Sequence, residues 1–147
     1  MAVRIHEDGI PEIKIKRRII RGWVKEEILR RNKQPGDINI VLTTDENLRK
    51  LNREHLSRDY FTDVITFDYS INNVITGEVY ISAERVRENA GIYGTSFNSE
   101  LFRIIIHGIL HMLGYKDDDR TVKSIMTDAE DEAIGRLMNI LSGGQQK

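Results

Sequence analysis

The chain has 147 residues, of which 39% are hydrophobic and 31% charged, and a formal net charge of −1. That size and composition fit one globular domain, and residues 1–147 are expected to form a single one. The absence of cysteine excludes thiolate metal sites and cysteine nucleophiles, so any metal must bind through nitrogen and oxygen.

Met1–Asp8 has no apolar signal core, and no apolar run elsewhere is long enough to span a bilayer. The expectation is a cytoplasmic protein with no membrane partner. The near-neutral total hides an asymmetry: residues 11–33 carry nine Lys/Arg against three Glu, and residues 117–132 carry seven Asp/Glu against two Lys/Arg. Such segments either favour different partners or form solvated helix faces, and charge alone does not choose between the two.

Ile15, Ile19, Ile20, Trp23, Val24 and Ile28 recur at helical spacing, with Lys14, Arg17, Arg18, Arg21 and Lys25 on the opposite stripe. This pattern predicts an amphipathic helix with a basic outer face. Pro35-Gly36-Asp37 is expected to break it before a strand at Ile38–Leu42. Thr43 and Glu46 offer a capping box for a second helix that reaches about His55, with Leu48 and Leu51 inward.

Val64–Phe67 and Val79–Ile81 read as neighbouring strands, with a turn at Asn72-Asn73. Ser82 opens a short helix that Gly91 or Gly94 ends, and Asn98 is the expected cap of a longer helix over 99–113. Leu101, Phe102, Ile104, Ile105, Ile106, Ile109, Leu110, Met112 and Leu113 leave that helix almost no polar face, so it should cross the core. A last helix over about 121–141 places Val122, Ile125, Met126, Ala129, Ala133 and Leu137 on one stripe. The element order implies an α+β fold, a small mixed sheet covered by helices.

His107 and His111 lie on the apolar helix four residues apart, a spacing that projects both imidazoles from one face. Gly114 is suited to the left-handed turn that ends a helix, and the reversed chain then brings Asp117, Asp118 and Asp119. Two histidines and a carboxylate with an open position form a recognised catalytic zinc arrangement. The competing reading, two satisfied core histidines, leaves the glycine stop and the adjoining carboxylates unexplained. The expected ligands of one divalent ion, zinc, are His107, His111 and Asp117. The spacing His-x-x-x-His-x-x-Gly-x-x-Asp is similar to that of the metzincin metallopeptidases, but the general-base Glu expected after the first histidine is replaced by Gly108.

A fuller resemblance covers about Leu51 to Glu132. His107-Gly108-Ile109-Leu110-His111-Met112-Leu113-Gly114-Tyr115, Leu51-Asn52, Thr62–Phe67 and Gly77–Ser82 together resemble the YbeY family of bacterial rRNA-maturation endoribonucleases. The resemblance implies metal-dependent hydrolysis of single-stranded RNA, in maturation of the 3′ end of small-subunit rRNA and ribosome quality control. Its implied partners are rRNA, the small ribosomal subunit, and ribosomal or assembly-factor proteins. Two positions depart from the family pattern: Asp117 stands where the third ligand is usually histidine, and Leu56 where an arginine is usual. Arg58, two residues on, is the nearby candidate for that charge, and the catalytic residues are left unassigned. The alternatives are a non-catalytic ribosome-assembly factor braced by metal, and a metallopeptidase, which Gly108 disfavours.

Among other residues, Asp63 is expected to be a turn residue bonded to local backbone. His55 is expected to be a charge partner at a helix C-terminus, and His6 a surface residue. Met126 is either a packing floor under the metal or an ordinary member of its helical stripe.

Overall fold

A computed structural model describes residues 2–57 and 62–143. The element order is β1 (Val3–Asp8), α1 (Arg17–Arg30), β2 (Gln34–Thr43), α2 (Asp45–Leu56), β3 (Val64–Asp68), β4 (Val74–Ser82), α3 (Ala83–Tyr93), α4 (Phe97–Met112) and α5 (Arg120–Leu141). The strands form one mixed sheet in the order β1-β2-β4-β3. β1 and β4 both run parallel to β2, and β3 pairs antiparallel with β4. The expected α+β class and the expected pairing of the Val64–Phe67 and Val79–Ile81 segments are both present.

The amphipathic patterns dictate the layering. Ile20, Trp23, Val24 and Ile28 of α1 are buried with Ile38, Ile40, Val79 and Ile81 of the sheet, and with α4 and α5, in one hydrophobic cluster. Trp23 meets Phe102 edge-on at 6.5 Å, and its indole Nε1–H donates to the Ala133 carbonyl at 2.8 Å. As the sequence predicts, α4 runs through the core: ten of its residues are buried. Among the described residues, no helix is long and apolar enough to cross a membrane.

Several boundaries differ from the sequence expectation, each for an identifiable physical reason. β1 was not anticipated; only Val3 and Ile5 alternate inward, and the strand exists because β2 offers it a parallel edge. Asn32, at φ 63°, follows the end of α1, and Pro35-Gly36-Asp37 lies inside β2 at a register shift instead of breaking the helix. Pro35 is tolerated there because it pairs with Ile75 on β4, while the β1 ladder begins only at Ile38.

Thr44, not Thr43, caps α2, because Thr43 is buried and donates its hydroxyl to the Asp8 carbonyl, tying β1 to β2. Gly94, at φ 69°, ends α3. Ser96, not Asn98, caps α4 by accepting from Ser99 N at 3.1 Å. Asp119 caps α5, which therefore starts before Thr121. Ile125 is 54% exposed, because the buried stripe of α5 runs through Met126, Ala129, Glu130, Ala133 and Leu137.

Candidate metal centre

His107 and His111 sit on the last two turns of α4, where Gly108 packs directly against the sheet. Gly108 permits that approach. A Cβ built there would lie 2.8 Å from a Val79 methyl and 3.2 Å from the Thr66 hydroxyl, so this position faces β4 and β3. Any longer side chain would push the helix off the sheet. The peptidase carboxylate thus has neither a residue nor a place at position 108.

At the other end of the motif, Gly114 adopts φ 99°, a conformation that side-chain-bearing residues rarely take. The chain turns back there. The Tyr115 N–H returns to the Leu110 carbonyl at 3.0 Å, and the Tyr115 hydroxyl accepts from Arg31 Nε at 3.1 Å. This anchored turn carries Asp117 over the two imidazoles.

Three donor atoms converge as a result. His107 Nε2 lies 3.1 Å from His111 Nε2 and 3.3 Å from Asp117 Oδ2, and His111 Nε2 lies 3.6 Å from the same oxygen. Ligands about 2.0–2.1 Å from a tetrahedral ion stand roughly 3.3 Å apart, so the spacing suits a small ion with an open fourth position. His107, His111 and Asp117 are the one group of this kind among the described residues. Asp119 serves as the α5 cap and Asp118 is exposed, so the three consecutive aspartates have separate surroundings.

Sequence reasoning missed Glu130. Its Oε2 lies 2.5 Å from His107 Nδ1, and its Oε1 accepts from Arg103 Nη1 at 3.0 Å. An ionised carboxylate only accepts, so the imidazole proton sits on Nδ1 and the Nε2 lone pair faces Asp117 and His111. A carboxylate that fixes a ligating histidine in this way sets both ring orientation and tautomer. Burial opposes charge on His107, but the hydrogen bond to Glu130, then the fields of Glu130, Asp117 and Asp63, raise its pKa above the ordinary imidazole value.

Glu130 had a sequence signal: it falls on the buried stripe between Met126 and Ala133, where a carboxylate needs a partner. Within the acidic run 117–132 it looked like solvated surface.

A cleft of about 310 Å³ opens at the donors, lined by Asn52, Leu56, Thr62, Thr66, His107 and Met112 among others. Leu56 therefore faces the site, and Arg58 lies outside the described residues. Met126 is buried in the main cluster, whereas Met112 lines the cleft. His55 lies in the last turn of α2 and meets Phe67 edge-on. His6 is exposed, with Nε2 3.1 Å from Asn39 Oδ1. The Asp63 carboxylate accepts from the Asn89 side chain on α3 at 3.4 Å, a tertiary contact in place of the expected bond to local backbone.

A family model described as Endoribonuclease YbeY matches residues 6–138. The chain belongs to the YbeY family. It is 39% identical over 137 residues to a YbeY endoribonuclease of Parabacteroides distasonis, covering 93% of this chain and 96% of the relative. It is 44% identical over 114 residues to that of Christiangramia forsetii, covering 78% and 80%. Among solved structures, the solution structure of TM1509 from Thermotoga maritima matches with a TM-score of 0.64 and 25% identity, covering 93% of this chain and 92% of that one.

Proposed function

We propose that this chain is a cytoplasmic, single-domain, metal-dependent endoribonuclease. It hydrolyses phosphodiester bonds of single-stranded RNA in maturation of small-subunit rRNA, and works beside ribosomal or assembly-factor proteins. Its metal is one divalent ion, zinc, held by His107, His111 and Asp117. The observation that carries this reading is the convergence of three N/O donors at 3.1–3.6 Å at the mouth of a cleft, in a chain of the YbeY family. When bound, such an ion supplies Lewis acidity toward a phosphoryl oxygen and an attacking water.

The protein's own residues do the positioning. Glu130 holds His107 in one tautomer, Arg103 holds Glu130, and the Gly114 turn braced by Arg31 and Tyr115 places Asp117. Lys14, Lys16 and Arg18 are exposed at the start of α1 and offer positive charge to an RNA backbone. Arg17 is committed to Glu7 and to the Ile5 and Ile13 carbonyls, so it leaves the basic stripe. Cleavage of a short single-stranded RNA should occur with zinc-loaded wild type, stop on chelation and fail in His111→Ala. Chelator-resistant cleavage by the purified protein would refute the metal-dependent reading.

One observation favours a second reading, a metal-braced assembly factor without catalysis: Leu56, an uncharged side chain, lines the cleft. It requires that metal binding raise the melting temperature while no RNA is cut.

A further inference from the structure

A second cleft, of about 480 Å³, adjoins the first and shares Val64 and His107 with it. Asp63, Asn89, Tyr93, Glu100, Arg103 and Lys123 are among its walls. Glu100 is the unusual member. It is only 8% exposed, yet its carboxylate has no hydrogen bond or ion pair with any described residue.

The neighbouring groups are otherwise engaged. Glu130 is spent on His107 and Arg103, Arg103 on Glu130 and Asp131, and Asp63 receives Asn89. Burial pushes the Glu100 carboxyl up; Arg103 works against this, and Asp63 and Glu130 reinforce it. Its oxygens are open to the cleft and not sealed in the core, so a ligand that brings two donors can make charge-assisted hydrogen bonds to both.

The cleft's chemistry narrows the ligand. A cation would need converging ligand atoms, and Glu100 belongs to no such group among the described residues. A flat base fits better: the volume suits a small-molecule site, and Tyr93, 67% exposed at the rim, offers a ring for stacking. Guanine is the base that presents two adjacent N–H donors on its pairing edge, matching the two acceptor oxygens of a carboxylate. Glu100 lies seven residues before His107, about 10.5 Å along the helix, so a base held there belongs to a nucleotide flanking the one at the donors.

We propose that this second cleft is a base-specificity subsite, in which Glu100 receives the guanine of a nucleotide flanking the scissile phosphate. The proposal rests on the endoribonuclease reading. Its test uses single-stranded oligoribonucleotides that differ at one position, guanosine against inosine, which lacks the N2 amine. Cleavage by zinc-loaded protein and equilibrium binding to chelator-treated protein are both measured.

Wild type should prefer guanosine by on the order of tenfold, the ratio one charge-assisted hydrogen bond supplies, and Glu100→Gln should bring the ratio near one. Tyr93→Ala, at an exposed position, should weaken binding of both oligonucleotides. Equal wild-type binding of guanosine and inosine would overturn the subsite, as would a preference that survives Glu100→Gln. If Glu100→Gln fails to fold, the wild-type comparison still decides. Guanosine-selective binding without any cleavage would refute the catalytic reading and leave the subsite standing.

Discussion

Two buried glutamates, one on α1 and one on α5, are built alike and do different things. Glu27, 1% exposed, accepts from Arg31 Nη1 at 2.8 Å and from Arg136 Nε and Nη2, each at 2.8 Å. Both oxygens end on guanidinium groups, so the charge is closed off and the cluster joins α1 to α5. Glu130, 6% exposed, has one oxygen on Arg103 and the other on His107, whose far nitrogen opens onto the cleft. The same buried carboxylate holds the fold together in one place and aims a donor in the other. What differs is whether the second partner has another nitrogen to present.

Removing Glu27 should produce the largest effect on stability. Glu27→Ala leaves two partly buried guanidinium groups without their shared anion and should cost about 3 kcal/mol in denaturant unfolding, with one zinc per chain still bound once folded. Glu130→Gln should behave in the opposite way. Its unfolding free energy should change less than that of Glu27→Ala, while zinc affinity falls about 10- to 100-fold in a competition titration. Equal zinc affinity in Glu130→Gln and wild type would erase the distinction between the two glutamates.

A smaller effect separates them by pH. Burial alone would raise the Glu27 pKa, but the hydrogen bonds and charges of Arg136 and Arg31 outweigh it and hold the pKa below the ordinary 4.5. A folded pKa below the unfolded one means that the stabilisation is fully present above about 4.5 and is lost as pH falls through the folded value. The stability gap between wild type and Glu27→Gln should therefore be widest near neutrality and shrink as pH drops below about 4.5. A gap independent of pH would show that Glu27 is not held ionised by its two arginines. The smallest effect concerns the surface: replacing Arg18 by Gln should reduce the slope of log RNA affinity against log salt by about 0.7 if it makes one phosphate contact.

These two glutamates also mark what could be read in the sequence. The pairing of two imidazoles on one helix face beside a glycine turn was legible because His107, His111 and Gly114 obey the geometry of a single helix and its terminus, with no tertiary information required. The buried stripes of α1 and α4 were legible by the same periodicity. Glu27 and Glu130 were not, although each interrupts an apolar stripe, Glu27 between Val24 and Ile28 and Glu130 between Met126 and Ala133. Partners lie up to 109 residues away, so a place on the buried stripe marks each carboxylate as needing a partner, but the sequence does not say which distant side chain supplies it. β1 was missed for a related reason, since a strand with two inward residues exists only through the neighbour it pairs with. The helix starts slipped by one or two residues because Thr43-Thr44, Ser96–Asn98 and the three aspartates offer several side chains able to cap, and packing chooses among them.

The measurement that bears most directly on the central claim is the metal content of purified protein, wild type beside the His107→Ala/His111→Ala double variant. The wild type should carry one divalent ion per chain after zinc loading and dialysis, and the folded double variant essentially none. Equal metal content in the two proteins would contradict the site.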